Sequence, residues 1–198
     1  MLPGIVGQYL EHVLPIVFAA VLVASLYLVA EEKKQFLIGC ALAAPTLFTL
    51  FDLGLVEHQF LQMPRNVLYI FFLTYVCSHI LHYLLSARKV VANVIYAALC
   101  LYMILGFIWA FIYTALITLS PGSFSLETIG LSDMDRFAEM LYFSFVTITT
   151  LGYGDISPVS QLARSVTVLE AITGQIYLAV ILARLVGMQI SEKDSRGR

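Results

Sequence analysis

The chain has 198 residues, 60% of them hydrophobic, a mean hydropathy of +0.89 and a formal net charge of -2. Only 12% of the residues are charged, about half the share of a soluble domain, and a compact protein of this size has too much surface to hide so much apolar side chain. The composition implies an integral membrane protein, excludes a soluble enzyme and gives no electrostatic reason to expect nucleic acid as a partner.

A helix crosses the bilayer core in about 20 apolar residues. Read for such runs, the sequence offers five spans, at 13–30, 36–56, 67–85, 90–119 and 162–187. The second carries Pro45 and Asp52, which leave a re-entrant alternative open. The last carries Glu170 and Arg184, so it is not expected to face lipid on all sides. Residues 1–12 hold Glu11 and His12 but no Lys or Arg, and Leu28-Val29-Ala30 is a poor cleavage site, so no signal peptide is expected. Cys40, Cys77 and Cys100 are an odd number, widely spaced within apolar runs, and are expected to be packing or lipid-facing residues.

Between the fourth and fifth runs the chain changes character. Residues 120–135 are polar and contain Pro121, Gly122 and Gly130, as in a loop in water. Residues 137–154 are apolar again but too short to cross and return to a loop on the far side. The spacing predicts a segment that enters the membrane and leaves on the same side, with a short helix over about 136–149, capped by Asp133 or Asp135. That helix runs into Thr150-Leu-Gly-Tyr-Gly-Asp155, whose alternating glycines resist regular helix. Non-helical backbone at membrane depth is tolerated only inside protein or beside a water-filled cavity.

Thr147-Ile-Thr-Thr-Leu-Gly-Tyr-Gly-Asp155 resembles the signature sequence of potassium channels, and with its flanks the resemblance covers about 90–187. The resemblance implies that rings of backbone carbonyls from Thr150, Leu151, Gly152 and Tyr153, with the Thr150 hydroxyl, replace the hydration shell of K+. Gly154 closes the filter, and Thr149, Asp155 and Tyr142 support it, Tyr142 by hydrogen bonding the aspartate. An ion on an axis needs about four such strands, so a homotetramer is implied. Leu151 stands where valine is commoner in the family and is expected to pack behind the filter. Val146 stands where many members have an acid. Gly174 falls at the family's bending glycine, with close packing an equal alternative, and Gln175, Leu178 and Leu182 are implied to line the cavity. Glu170, four residues before Gly174, either attracts cations or hydrogen-bonds the pore helix, and the second is favoured.

A voltage sensor needs several basic residues along one helix, since each charge moved contributes about 2.3 kcal/mol per 100 mV. The span 67–85 has none. His79 and His82 lie on one helix face, with His58 before them, and are expected to be interfacial rather than a proton or metal sensor. Tyr75, Tyr83 and Tyr102 are expected to pack or sit in interfacial belts.

The expected fold is thus an all-α membrane protein of about five transmembrane helices plus a re-entrant pore helix and filter, assembled as a tetramer. Three peripheral helices occupy 1–89, a pore domain 90–190 and a short cytoplasmic tail 191–198. If the filter opens outward, four preceding crossings place the N-terminus outside. Lys33, Lys34, Arg88, Lys89, Lys193, Arg196 and Arg198 then lie inside, against Arg65, Arg136 and Arg164 outside. The expected activity is passive K+ conduction in the plasma membrane, with no cofactor beyond the permeant ion and no attached cytosolic ligand domain. Lipid is an expected partner, and a separate regulatory subunit is a candidate one. The competing classes are a weakly selective cation channel, a subunit of an active uptake system, and a non-conducting sensor or accessory subunit on a channel fold.

Overall fold

The computed structural model describes residues 59–87, 89–126 and 131–196. The spans expected at 13–30 and 36–56, and His58, lie outside the described residues. Four helices succeed one another in chain order: α1 (Gln59–Ser86), α2 (Ala92–Leu119), α3 (Asp133–Ile148) and α4 (Gln161–Arg196). Three stretches are long and apolar enough to cross a membrane, Met63–Ser86, Ala92–Leu119 and Gln161–Ile190, in the places expected from the third, fourth and fifth runs. Within the stretch expected as a tail, 191–198, α4 continues as helix to Arg196.

Residues 1–76 and 77–198 form two compact units. In the first, α1 buries Asn66, Tyr69, Phe72, Leu73 and Val76, spaced three or four apart as one helix face requires. In the second, α2, α3 and α4 share one core. Tyr113, Leu116 and Ile117 of α2 meet Met140 and Phe143 of α3, Ala163 of α4, and Phe124 and Ile156 from the connecting loops. Tyr113, Phe124 and Phe143 form a trio of edge-to-face rings with centroids 5.1–5.5 Å apart. Lipid is as apolar as these side chains, so packing of this kind, rather than expulsion from water, holds the helices together.

The start of α3 corrects the expected cap. Ser132, not Asp133 or Asp135, is the N-cap: its Oγ accepts from Asp135 N at 3.1 Å, while Asp135 Oδ2 accepts from Ser132 N at 3.2 Å. This reciprocal box satisfies two otherwise open donors, which an aspartate one residue further on would not do. Asp133 falls inside the first turn, 3.9 Å from the Arg136 guanidinium.

The loops at this end are zipped together. Ser125 N donates to Ser157 O (2.9 Å) and Val159 N to Ser123 O (2.8 Å), around a bridge between Phe124 and Pro158. The loop after α2 is thereby tied to the loop that enters α4.

Candidate functional site

The last four carbonyls of a helix have no partner within it, and those of α3 organise the segment beyond its end. Phe145 O accepts from Thr149 N (3.2 Å) and Thr149 Oγ1 (2.5 Å). Val146 O accepts from both Leu151 N (3.0 Å) and Gly152 N (3.1 Å), and Thr147 O from Thr150 N (2.9 Å). Ile148 O accepts from the Tyr102 hydroxyl of α2 at 3.0 Å. All four are satisfied.

These bonds fix the carbonyls of residues 149–151. No peptide bond among the described residues is cis, and in a planar trans peptide the C=O points opposite to the next N–H. Because the N–H groups of Thr150, Leu151 and Gly152 all point back at α3, the carbonyls of Thr149, Thr150 and Leu151 point away from it. Three consecutive carbonyls on one side are impossible in an ordinary strand, where successive residues alternate. Here φ is positive at Thr150 (61°), Gly152 (59°) and Gly154 (80°), and only there in the segment. Alternating hands turn successive N–H groups to one side. Thr150 is the only non-glycine residue with positive φ among those described. A β-branched residue there costs about 1–3 kcal/mol and persists because its N–H and the next two are bonded.

Leu151 does not find the backing expected of it within its own chain, which leaves it 56% exposed; Tyr153 is 66% exposed. Asp155 is fixed on two sides. Its Oδ2 accepts from the Tyr142 hydroxyl at 2.6 Å, and its Oδ1 from Ile156 N at 3.0 Å. The phenol's hydrogen bond holds the Asp155 carboxyl below its ordinary range, and the same bond pushes Tyr142 up to about 12. The carboxylate's contribution is therefore present above its unfolded pKa and lost as pH falls through its lowered folded one. The phenol's is complete below about 10 and lost as pH rises through about 12. Conduction through a wild-type channel should thus keep this contact from mildly acidic to mildly alkaline pH. In Tyr142→Phe the segment loses one charge-assisted bond, and single-channel recording should show shorter open times by about tenfold or less. Open times unchanged in Tyr142→Phe would remove Tyr142 from the supporting set.

The sequence profile of a family described as "Ion channel" matches residues 90–190, about half of the chain and the whole of this arrangement. The chain belongs to the ion-channel family. Among curated proteins, this ion channel is 32% identical over 73 residues to "Two-pore potassium channel 4" of Arabidopsis thaliana, covering 37% of this chain and 26% of that one. It is 36% identical over 91 residues to "Protein LctB" of Bacillus caldotenax, covering 42% of this chain and 62% of that protein. The chain therefore spans about a quarter and about three fifths of the length of these two relatives. No solved structure matches it.

Helix α4 begins with Ser160 Oγ accepting from Ala163 N (3.1 Å). Gly174 sits against the end of α3: a Cβ there would lie 2.6 Å from Ile148 Cγ1 and 2.7 Å from Ile148 O. Close packing alone thus requires glycine. Gln175, Leu178 and Leu182 are exposed in the single chain, with Leu178 at 44% and Leu182 at 65%. Glu170 is fully buried, accepting from the Tyr113 hydroxyl of α2 and lying 2.6 Å from Ser144 Oγ of α3. Of the two expected roles, the hydrogen-bonding one is seen: Glu170 bonds α3.

Other contacts were not read from the sequence. Tyr177 donates to Ala98 O (2.5 Å) and stacks on Tyr102, linking α4 to α2. Arg184 donates to Leu84 O (3.2 Å), Leu85 O (2.5 Å) and Ala87 O (3.1 Å) at the end of α1. Tyr102 packs, as one of its two expected roles, with its hydroxyl on Ile148 O of α3. A helix-embedded arginine signals a partner, but the partners of all these groups are backbone carbonyls or residues far along the chain. His82 is exposed, and His79 Nδ1 lies 3.4 Å from Ser78 Oγ. Among the described residues no group of three or more His, Cys, Asp or Glu is placed to hold a metal ion.

Proposed function

We propose that this ion channel is a homotetramer that conducts K+ selectively and passively across the plasma membrane. In this reading Thr150, Leu151, Gly152 and Tyr153 from four copies line the ion path with carbonyl oxygens, and Gly154 closes the row. Gln175, Leu178 and Leu182, exposed in the single chain, line the cavity. The filter opens outward, and the C-terminus is cytoplasmic.

The observation that carries the reading is the common direction of the Thr149, Thr150 and Leu151 carbonyls, set by N–H groups bonded to α3. A cation sheds its water only where oxygens converge at comparable cost. One chain supplies one wall of oxygens, and its Leu151 and Tyr153 side chains are exposed where neighbouring copies would cover them. The negative end of the α3 dipole adds a favourable potential for a cation. The relative named as a potassium channel agrees with this ion.

The test is flux through the purified full-length chain in liposomes. Reversal potentials should follow the K+ gradient, Na+ should carry little current, and Ba2+, similar in size to K+, should block. Equal K+ and Na+ reversal potentials would support the weakly selective alternative, and no flux at all would support the accessory-subunit alternative. Either would overturn the proposal.

A further inference from the structure

The junction around Glu170 contains more hydrogen-bond contacts than the hydroxyl protons present can make. Ser144 Oγ lies 2.8 Å from Gly106 O and 2.6 Å from Glu170 Oε1. Both neighbours are acceptors if the carboxyl is ionised, and a serine hydroxyl has one proton. With that proton on Gly106 O, Ser144 Oγ and Glu170 Oε1 would face each other as two lone-pair atoms. With it on Glu170, the same conflict moves to Gly106 O. Tyr113 cannot resolve it, because its one proton already goes to Glu170 Oε2.

One further proton removes the conflict. Placed on Glu170 Oε1, it donates to Ser144 Oγ, which donates to Gly106 O, while Oε2 accepts from Tyr113. Every contact then has one donor and one acceptor. The surroundings agree. Glu170 is 0% exposed, and among the described residues no Lys, Arg or His forms an ion pair with it. The groups facing it are Tyr113 from α2 and Ser144 from α3, with Tyr102 of α2 more distant, and none is cationic. An ionised carboxylate left unpaired in such a place is far costlier than the hydrogen bonds it could accept.

We propose that Glu170 is held as a neutral carboxylic acid that positions the pore helix, tying α3 to α2 and α4 behind the filter. Ser144 lies one turn before Ile148, whose backbone rests on Gly174 and Tyr102. The junction therefore fixes the helix whose terminal carbonyls orient the 149–152 segment. Glu170 is a positioning residue: it acts on the ion path through α3. Its consequence for selectivity rests on the reading of that path as a K+ filter, whereas its protonation does not.

The experiment uses the full-length channel in liposomes. Infrared spectra across neutral pH should contain the carbonyl stretch of a neutral carboxylic acid, and Glu170→Gln should lack it. Glutamine reproduces the pattern, with its NH2 donating to Ser144 and its oxygen accepting from Tyr113. It should retain oligomer stability, and K+ over Na+ preference within about twofold. Glu170→Ala leaves the buried Tyr113 hydroxyl without its acceptor and Ser144 Oγ without its donor, and should lower that preference about tenfold. If Glu170→Ala does not assemble, the infrared comparison of wild type with Glu170→Gln decides alone. A spectrum without the neutral-acid band, or Glu170→Gln as damaged as Glu170→Ala, overturns the proposal. A band present in a chain that shows no K+ preference would overturn the filter reading and leave the neutral acid standing.

Discussion

In Gly174→Ala, the purified channel should lose thermal stability equivalent to about 1–3 kcal/mol per chain, the usual cost of forcing a methyl group into a filled site. Conduction should fall with it. The added Cβ would stand 2.7 Å from Ile148 O, a backbone atom that cannot rotate aside. Relief requires moving the end of α3, and with it the carbonyls of Val146 and Thr147 that hold the next three N–H groups. Thermal melts of the oligomer in detergent and K+ flux in liposomes measure both effects. A hinge with no packing role makes the opposite forecast: stability unchanged or raised, since alanine favours helix over glycine by about 1 kcal/mol, and only open probability altered. Melts at or above the wild-type temperature would therefore refute the packing account.

Gly152→Ala should act by another route and more selectively. A Cβ at Gly152 meets nothing of its own chain within 4 Å, but φ is +59°. Alanine there carries a strain of about 1–2 kcal/mol, and four copies in the proposed tetramer would each bear it around one ion path. The strain favours flipping the peptide, which turns a carbonyl out of the row. Insertion and assembly should survive, while K+ over Na+ preference drops by about tenfold or more. Bi-ionic reversal potentials read this directly. Preference equal to wild type would mean that the 150–154 backbone does not set selectivity.

The pore half of the chain was legible in the sequence because its signals are local. Uncharged length located the three described spans, polar residues around Pro121 and Gly122 marked the loop, and the alternating glycines marked the irregular segment after α3. The bond between Tyr142 and Asp155 was expected only through the resemblance to potassium channels, and the structure contains it. The cap was misread because Ser132, Asp133 and Asp135 are all good capping residues, and only geometry tells which oxygen reaches which N–H. Glu170 was visible as a costly residue, yet its partners Tyr113 and Ser144 lie 57 and 26 residues away with no spacing to reveal them. Leu151 illustrates a different gap: the surface that would cover it is not on its own chain.

The three bonds from Arg184 join the C-terminal half of α4 to residues about 100 positions earlier. They are charge-assisted and end on carbonyls at the close of α1, where a helix presents its negative pole and a cation is best received. Because the acceptors are backbone atoms, the connection is indifferent to which side chains α1 carries. It survives sequence drift in α1 so long as the helix ends there. Ten residues separate Arg184 from the tight contact at Gly174, so α4 is pinned at two heights by different neighbours. Any swing of the C-terminal half of α4 must therefore carry the end of α1 along or part from it.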